Sequence, residues 1–188
     1  MTGPSHIVLA LASSVALSRA ASFAPSPLEV IILCVGALLP DIDGNGSITR
    51  PGTILKRFLG NTLSQLLNAI VVPFAFLIRI LFGHRGLTHS LLVPCLIFAL
   101  EKLLGSAHWL SFGYLTHILG DLMTPKGVPL FSPILKSNFS LKVFKTGSIL
   151  EWVFVSILFV YTVIFGVQFL PSNTQEAIKN LLNSNRDY

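Results

Sequence analysis

Seven side chains able to bind a metal ion sit in four clusters of an otherwise oily chain. They are His6, Asp41 and Asp43 in Leu-Pro-Asp-Ile-Asp, His84 and His89 in Gly-His-Arg-Gly-Leu-Thr-His-Ser, and His117 and Asp121 in His-x-x-x-Asp. They take up four of the five histidines and three of the eight acidic residues. Ionisable groups are costly in an apolar environment and are kept there when they pair, hold an ion or line a pathway. A chain of this kind therefore has to fold so that distant segments share one polar centre while most of its surface faces lipid.

Composition agrees with that class. The 188 residues are 52% hydrophobic with mean hydropathy +0.74, and 11% are charged, against roughly 25% in a soluble domain. Apolar stretches run over 7–23, 28–39, 63–82, 91–104, 108–119 and 149–170. Only the last has the length and cleanness of an uninterrupted spanning helix, about 20 residues. Shorter, polar-interrupted helices are expected where helices surround a polar site. The first stretch lacks the basic start of a signal peptide, and cleavage near Ala20-Ala21-Ser22 would remove His6, so a retained first helix is expected.

The pI near 9.5 and formal charge of +5 do not indicate nucleic-acid binding. The Lys and Arg residues lie in connecting loops, with no basic helix and no basic-aromatic interleaving. Cys34 and Cys95 fall inside apolar segments without metal-knuckle or redox spacing and read as small packing residues.

If all four clusters cooperate, they lie on one side of the membrane. A first helix leaves that side near His6, turns at Pro25-Ser26-Pro27, and a second returns to deliver Asp41 and Asp43 after Pro40. His84 and His89 rejoin the same side only if 44–83 makes no net crossing. Pro73 and the amphipathic Lys56-Arg57-Phe58-Leu59-Gly60 predict a bent or interfacial helical pair there. A helix from about Thr88 then leaves, another returns with His117 and Asp121, and the final helix departs with Glu151 in its first turn. The expected fold is all-α: a polytopic membrane helical bundle of about five spanning helices plus a re-entrant or interfacial segment. Residues 1–170 form the membrane-embedded domain and 171–188 a short polar tail. Nine basic residues fall in site-side connections (Arg50, Lys56, Arg57, Arg79, Arg85, Lys126, Lys136, Lys142 and Lys145) and four elsewhere. The positive-inside rule then places the site on the cytoplasmic face of the inner membrane. Trp109 and Trp152, near helix starts, fit either interface anchors or packing residues.

Each cluster has a plain reading beside the chemical one. His117 and Asp121, four apart, share a helical face and suit one ion, or are a packed residue and a cap. Asp41 and Asp43 can turn both carboxylates to one centre or each to one ion of a pair, but Pro-Asp and Asp-Gly are also common turn dipeptides. His84 and His89 do not share a helical face. Gly83 and Gly86 let them approach from different directions, with Thr88 as a helix cap. Arg85 can orient a phosphate or snorkel to a headgroup. Glu151 is a candidate base or a charge at a helix N-terminus. Convergence is what favours chemistry: seven donors exceed the three or four of one catalytic zinc and leave room for two ions.

The early histidine, Leu-Pro-Asp-Ile-Asp at 39–43, Gly-His-Arg-Gly-Leu-Thr-His-Ser at 83–90 and His-Ile-Leu-Gly-Asp-Leu-Met-Thr-Pro-Lys-Gly at 117–127 together resemble the YdjM/YbcI-like membrane-bound metal-dependent hydrolases. The resemblance runs through Glu151. It implies a multi-pass membrane protein with metal ligands among His6, Asp41, Asp43, His84, His89, His117 and Asp121, and a distant likeness to zinc-dependent phospholipases C makes phosphoester chemistry attractive. The expected function is hydrolysis of a phospholipid or other amphiphilic phosphoester by a metal-activated water, with Asp43, Asp121, Glu151 and Arg85 as catalytic candidates. The cofactor is one or two divalent ions, zinc before manganese or iron. The alternatives are a divalent-metal transporter or sensor and a noncatalytic protein with a structural metal. The expected partner is membrane lipid, with no nucleic acid.

Overall fold

The computed structural model describes residues 1–43, 60–66, 68–69, 72–73, 86–135, 137–167 and 175–176, apart from the side chains of Ile42 and Asp43. The expected re-entrant pair therefore lies largely outside the described residues, as do His84, Arg85 and most of the polar tail. What is described is helical; the β-type pairing present is an isolated antiparallel bridge between Val128 and Phe139.

Helix α1 spans Gly3–Ala21, entered through a proline in its first turn and closed by Ser22 in the left-handed region. Ala10, Ala12, Ser14 and Ser18 form part of its buried side, and such small residues allow close helix approach. Helix α2, Pro27–Leu38, begins with a capping box in which Ser26 and Glu29 each bond the other's backbone amide. It runs into a 3-10 turn at Leu39–Asp43 that carries Asp41. A second 3-10 turn, Leu87–His89, precedes α3 at Leu92–Leu103. Helix α4 covers Trp109–Leu122 and α5 covers Ile149–Gly166.

The bundle is organised around the α2–α4 crossing. A Cβ at Gly36 would lie 2.3 Å from the Leu110 carbonyl oxygen, and one at Gly113 would lie 2.1 Å from that of Leu33. The two backbones touch because neither position has a side chain. Leu33, Ala37, Ala10 and Trp109 fill the core beside this contact. Trp109 is thus buried packing, while Trp152 is exposed on α5. Helix α5 packs on α1, with the Arg19 guanidinium 4.2 Å from the Phe165 ring centre.

Among the described residues, α5 alone is long and apolar enough to cross a membrane by composition, and most of its surface faces outward. Helices α2, α3 and α4 have 12, 12 and 14 residues, about 18–21 Å of axial rise against roughly 30 Å of hydrocarbon. The turns that deliver Asp41 and His89 bound α2 and α3 at the same end.

Candidate metal centre

Four elements bring five of the expected ligands to one end of the bundle. His6 comes from the second turn of α1, Asp41 from the 3-10 turn after α2, His89 from the 3-10 turn before α3, and His117 and Asp121 from the last turns of α4. His6, His89, His117 and Asp121 are fully buried, and the Asp41 side chain is 26% exposed, so the cluster meets solvent on the Asp41 side.

The contacts form one connected group. His6 Nε2 lies 3.3 Å from Asp121 Oδ1, His89 Nε2 lies 3.6 Å from both Asp41 Oδ1 and Asp121 Oδ2, and His117 Nε2 lies 3.7 Å from Asp41 Oδ1 and 3.9 Å from Asp121 Oδ2. The His6 and His117 rings stack at 3.6 Å, and His89 meets His117 edge-on at 5.3 Å. Two triads, His6–His117–Asp121 and Asp41–His89–His117, have donor atoms within 4.8 Å of one another. The Met1 amino group pairs with Asp121 Oδ1.

The donor set fits a metal ion. The His117 Nδ1 is 2.7 Å from the Ala37 carbonyl oxygen. A carbonyl only accepts, so Nδ1 carries the proton and a neutral ring turns its Nε2 lone pair toward the two carboxylates. Lone pairs facing carboxylate oxygens repel unless a cation lies between them. The Nε2 atoms of His6, His89 and His117 make no hydrogen bond although all are buried, an arrangement that is unfavourable without a ligand. The separations of 3.3–3.9 Å are close to the roughly 3.3 Å edge of a tetrahedron of zinc ligands at about 2.0–2.1 Å. With Nδ1 committed to Ala37, His117 has one lone pair to offer one ion, so the two triads could not be filled independently through it.

Second contacts hold the ligands in place. Thr88 was expected to cap the helix carrying His89; it lies instead in the same 3-10 turn, its hydroxyl 3.1 Å from His89 Nδ1, with the Tyr114 hydroxyl donating to its carbonyl.

Glu151 lies outside this group. Its Oε1 accepts from Thr2 N at 2.8 Å and its Oε2 from Gly147 N at 2.6 Å, tying α5 to the start of α1. The side chain of Asp43 and all of His84 and Arg85 fall outside the described residues. Sequence reasoning missed the Ala37 carbonyl, which no side-chain pattern signals, and Gly120, where a Cβ would lie 3.1 Å from His6 Nδ1. The glycine directly before Asp121 was the available sign.

A cavity of about 670 Å³ opens at the other end of the helices, lined by Phe23, Phe98, Trp109, Phe112 and other apolar residues, and none of the five ligands borders it.

The sequence profile of the YdjM inner membrane protein family matches residues 1–181. The chain is 32% identical over 194 aligned positions to inner membrane protein YdjM of Escherichia coli (strain K12) and to that of Shigella flexneri, covering 93% of this chain and 87% of each relative. No solved structure matches. Both the aligned length and the identity lead to one conclusion: the chain belongs to the YdjM inner membrane protein family.

Proposed function

We propose that this protein is a multi-pass, metal-dependent hydrolase whose centre faces the cytoplasmic side of the inner membrane, and that its substrate is a phospholipid or related amphiphilic phosphoester. The observation that supports this most directly is the His117–Ala37 hydrogen bond, which presets a buried imidazole as a ligand amid two more histidines and two carboxylates. The donors suit zinc first, with manganese or iron accommodated by the carboxylates.

A divalent ion held there supplies Lewis acidity and lowers the pKa of a water it touches. The residues do the rest. His6, His89, His117 and Asp121 would hold such an ion from the buried side. Asp41, the ligand that meets solvent, marks the side from which water and substrate enter. Glu151 has both oxygens engaged by backbone amides and serves as an anchor. We assign Asp43, with Asp121 as the other candidate, to accept the water proton and Arg85 to orient the anionic group.

A structural metal is the second reading, favoured by the complete burial of the three imidazoles. One experiment separates the two: detergent-purified protein, its His89→Ala and Asp121→Ala variants, metal analysis, and hydrolysis of a mixed lipid extract. Hydrolysis requires turnover in the intact protein that falls roughly 100-fold in both variants together with metal content. Unchanged turnover in both variants removes this centre from the reaction. Bound metal with no turnover in the intact protein leaves the structural reading.

A further inference from the structure

The connection between Asp121 and α5 is basic and oily at once, and it is folded. Residues 122–150 contain Lys126, Lys136, Lys142 and Lys145 and no aspartate or glutamate. The segment is pinned on its inner side. Val128 and Phe139 exchange N–H···O bonds of 2.9 Å, Leu141 N and Val143 N donate at 2.8 Å to the carbonyls of Leu122 and Met123, and Leu91 N donates at 2.9 Å to Leu130. Val128, Thr124 and Phe144 are buried against the bundle.

With that inner face filled, a second apolar face is left outside. Phe131, Leu135 and Val143 are exposed on it, with Ile134 at 88% and Leu141 at 64%, and Ile149, where the segment enters α5, is exposed as well. Lys126, Lys142 and Lys145 are exposed on the same segment. Apolar surface of this extent, rimmed by one sign of charge, marks an interaction face. Lysine stems lie along apolar surface while their ammonium heads reach outward, the pattern of a segment seated in an anionic membrane interface.

We propose that residues 126–150 form an interfacial anchor whose outer face sits among acyl chains just below the headgroups, with the lysines engaging phosphates of anionic phospholipid. Two observations select the bilayer as the occupant: the segment leads directly into α5, whose apolar residues are mostly exposed, and its charge is entirely basic. The anchor also sets the depth of the metal centre. Ser140 Oγ donates to the Thr124 carbonyl at 2.6 Å and Thr124 Oγ1 donates to that of Asp121 at 2.8 Å, so the seated segment is bonded to a ligand residue. It holds whether or not the centre hydrolyses a lipid, since it concerns where the segment sits.

The test uses the full chain in a Cys34→Ala, Cys95→Ala background, with a bimane label on Ile134→Cys and a reference label on Val160→Cys in α5. The protein is reconstituted into vesicles of equimolar phosphatidylcholine and phosphatidylglycerol. The Ile134 label is expected to be shielded from aqueous iodide and quenched by a nitroxide placed on the acyl chain near the headgroup. Free access to iodide overturns the proposal. Shielding from both quenchers also overturns it, in favour of a protein covering the face. Replacing Lys126, Lys142 and Lys145 with Gln is expected to lower the preference for nitroxide-labelled phosphatidylglycerol over phosphatidylcholine, by about five-fold per lysine at low salt. An unchanged preference overturns the assignment to anionic lipid.

Discussion

Ala37 contributes no functional side chain to the centre, yet its carbonyl determines which nitrogen of His117 can face an ion. Gly120 acts in a similar indirect way. A methyl there would lie 2.8 Å from Met1 Sδ, 3.0 Å from Leu9 Cδ2 and 3.1 Å from His6 Nδ1. All three are side-chain atoms that can shift, so Gly120→Ala is expected to cost only about 1–2 kcal/mol of stability. His6 moves as it does so, and metal affinity is expected to fall roughly ten-fold. Competitive metal titration beside thermal unfolding in detergent checks this, and unchanged affinity would show that His6 is not a ligand. Glu151 makes the opposite prediction. Glu151→Gln keeps one carbonyl oxygen but presents an amide NH₂ to one of two backbone N–H groups. Stability is expected to drop by about 1–3 kcal/mol while metal stoichiometry is kept. Metal loss at an unchanged unfolding temperature would place Glu151 among the ligands.

The elements work because α2 and α4 cross without side chains between them. This contact sets the distance between the Asp41 turn and Ala37 carbonyl on one helix and His117 and Asp121 on the other. A methyl at Gly113 would meet the Leu33 carbonyl oxygen at 2.1 Å and Ala37 N at 2.9 Å, both backbone atoms that no rotamer change relieves. Gly113→Ala is therefore expected to cost about 3 kcal/mol and to weaken metal binding by more than about ten-fold, although the residue touches no ligand. Thermal unfolding and metal analysis of the same preparation decide it; a fully loaded, equally stable variant would mean that the helices do not meet as described. Much of this level was legible in the sequence. The Pro25-Ser26-Pro27 turn, Pro40 after α2 and the four-residue spacing of His117 and Asp121 are local signals, and the expected stretches 7–23, 28–39, 91–104, 108–119 and 149–170 lie within a few residues of α1 to α5, while the expected pair over 44–83 lies largely outside the described residues. The Gly36–Gly113 contact was not legible, because a glycine in an apolar helix reveals its role only beside its partner. Nor was Glu151's place: an acidic residue in a first turn suits a cap, a ligand or a brace alike, and the amides of Thr2 and Gly147 that select the brace are distant in sequence or supplied by the turn.

At the scale of the whole molecule, His6, Asp41, His89, His117 and Asp121 lie at one end of the bundle, as the expected cooperation of the clusters required. The membrane face proposed for that end rests on charge rather than contacts. The basic connection 122–147 leaves from the same end, and by the positive-inside rule such a segment is expected in the cytoplasm. Helix α5 starts from that connection and is apolar enough to cross once, so the chain after Gly166 is expected outside the cytoplasm. Fusions test both ends of this crossing. A fluorescent protein inserted after Lys142 is expected to fluoresce, and alkaline phosphatase joined after Val167 is expected to be active. The pairing is informative because the two reporters fail on opposite sides: green fluorescent protein exported unfolded stays dark, and phosphatase without its disulfides stays inactive in the reducing cytoplasm. Active phosphatase at both positions would put the metal centre on the outer face. Fluorescence at both would mean that α5 does not cross; its outward apolar surface would then need a protein partner, and the interfacial anchor would lose the lipid-facing helix with which it is continuous.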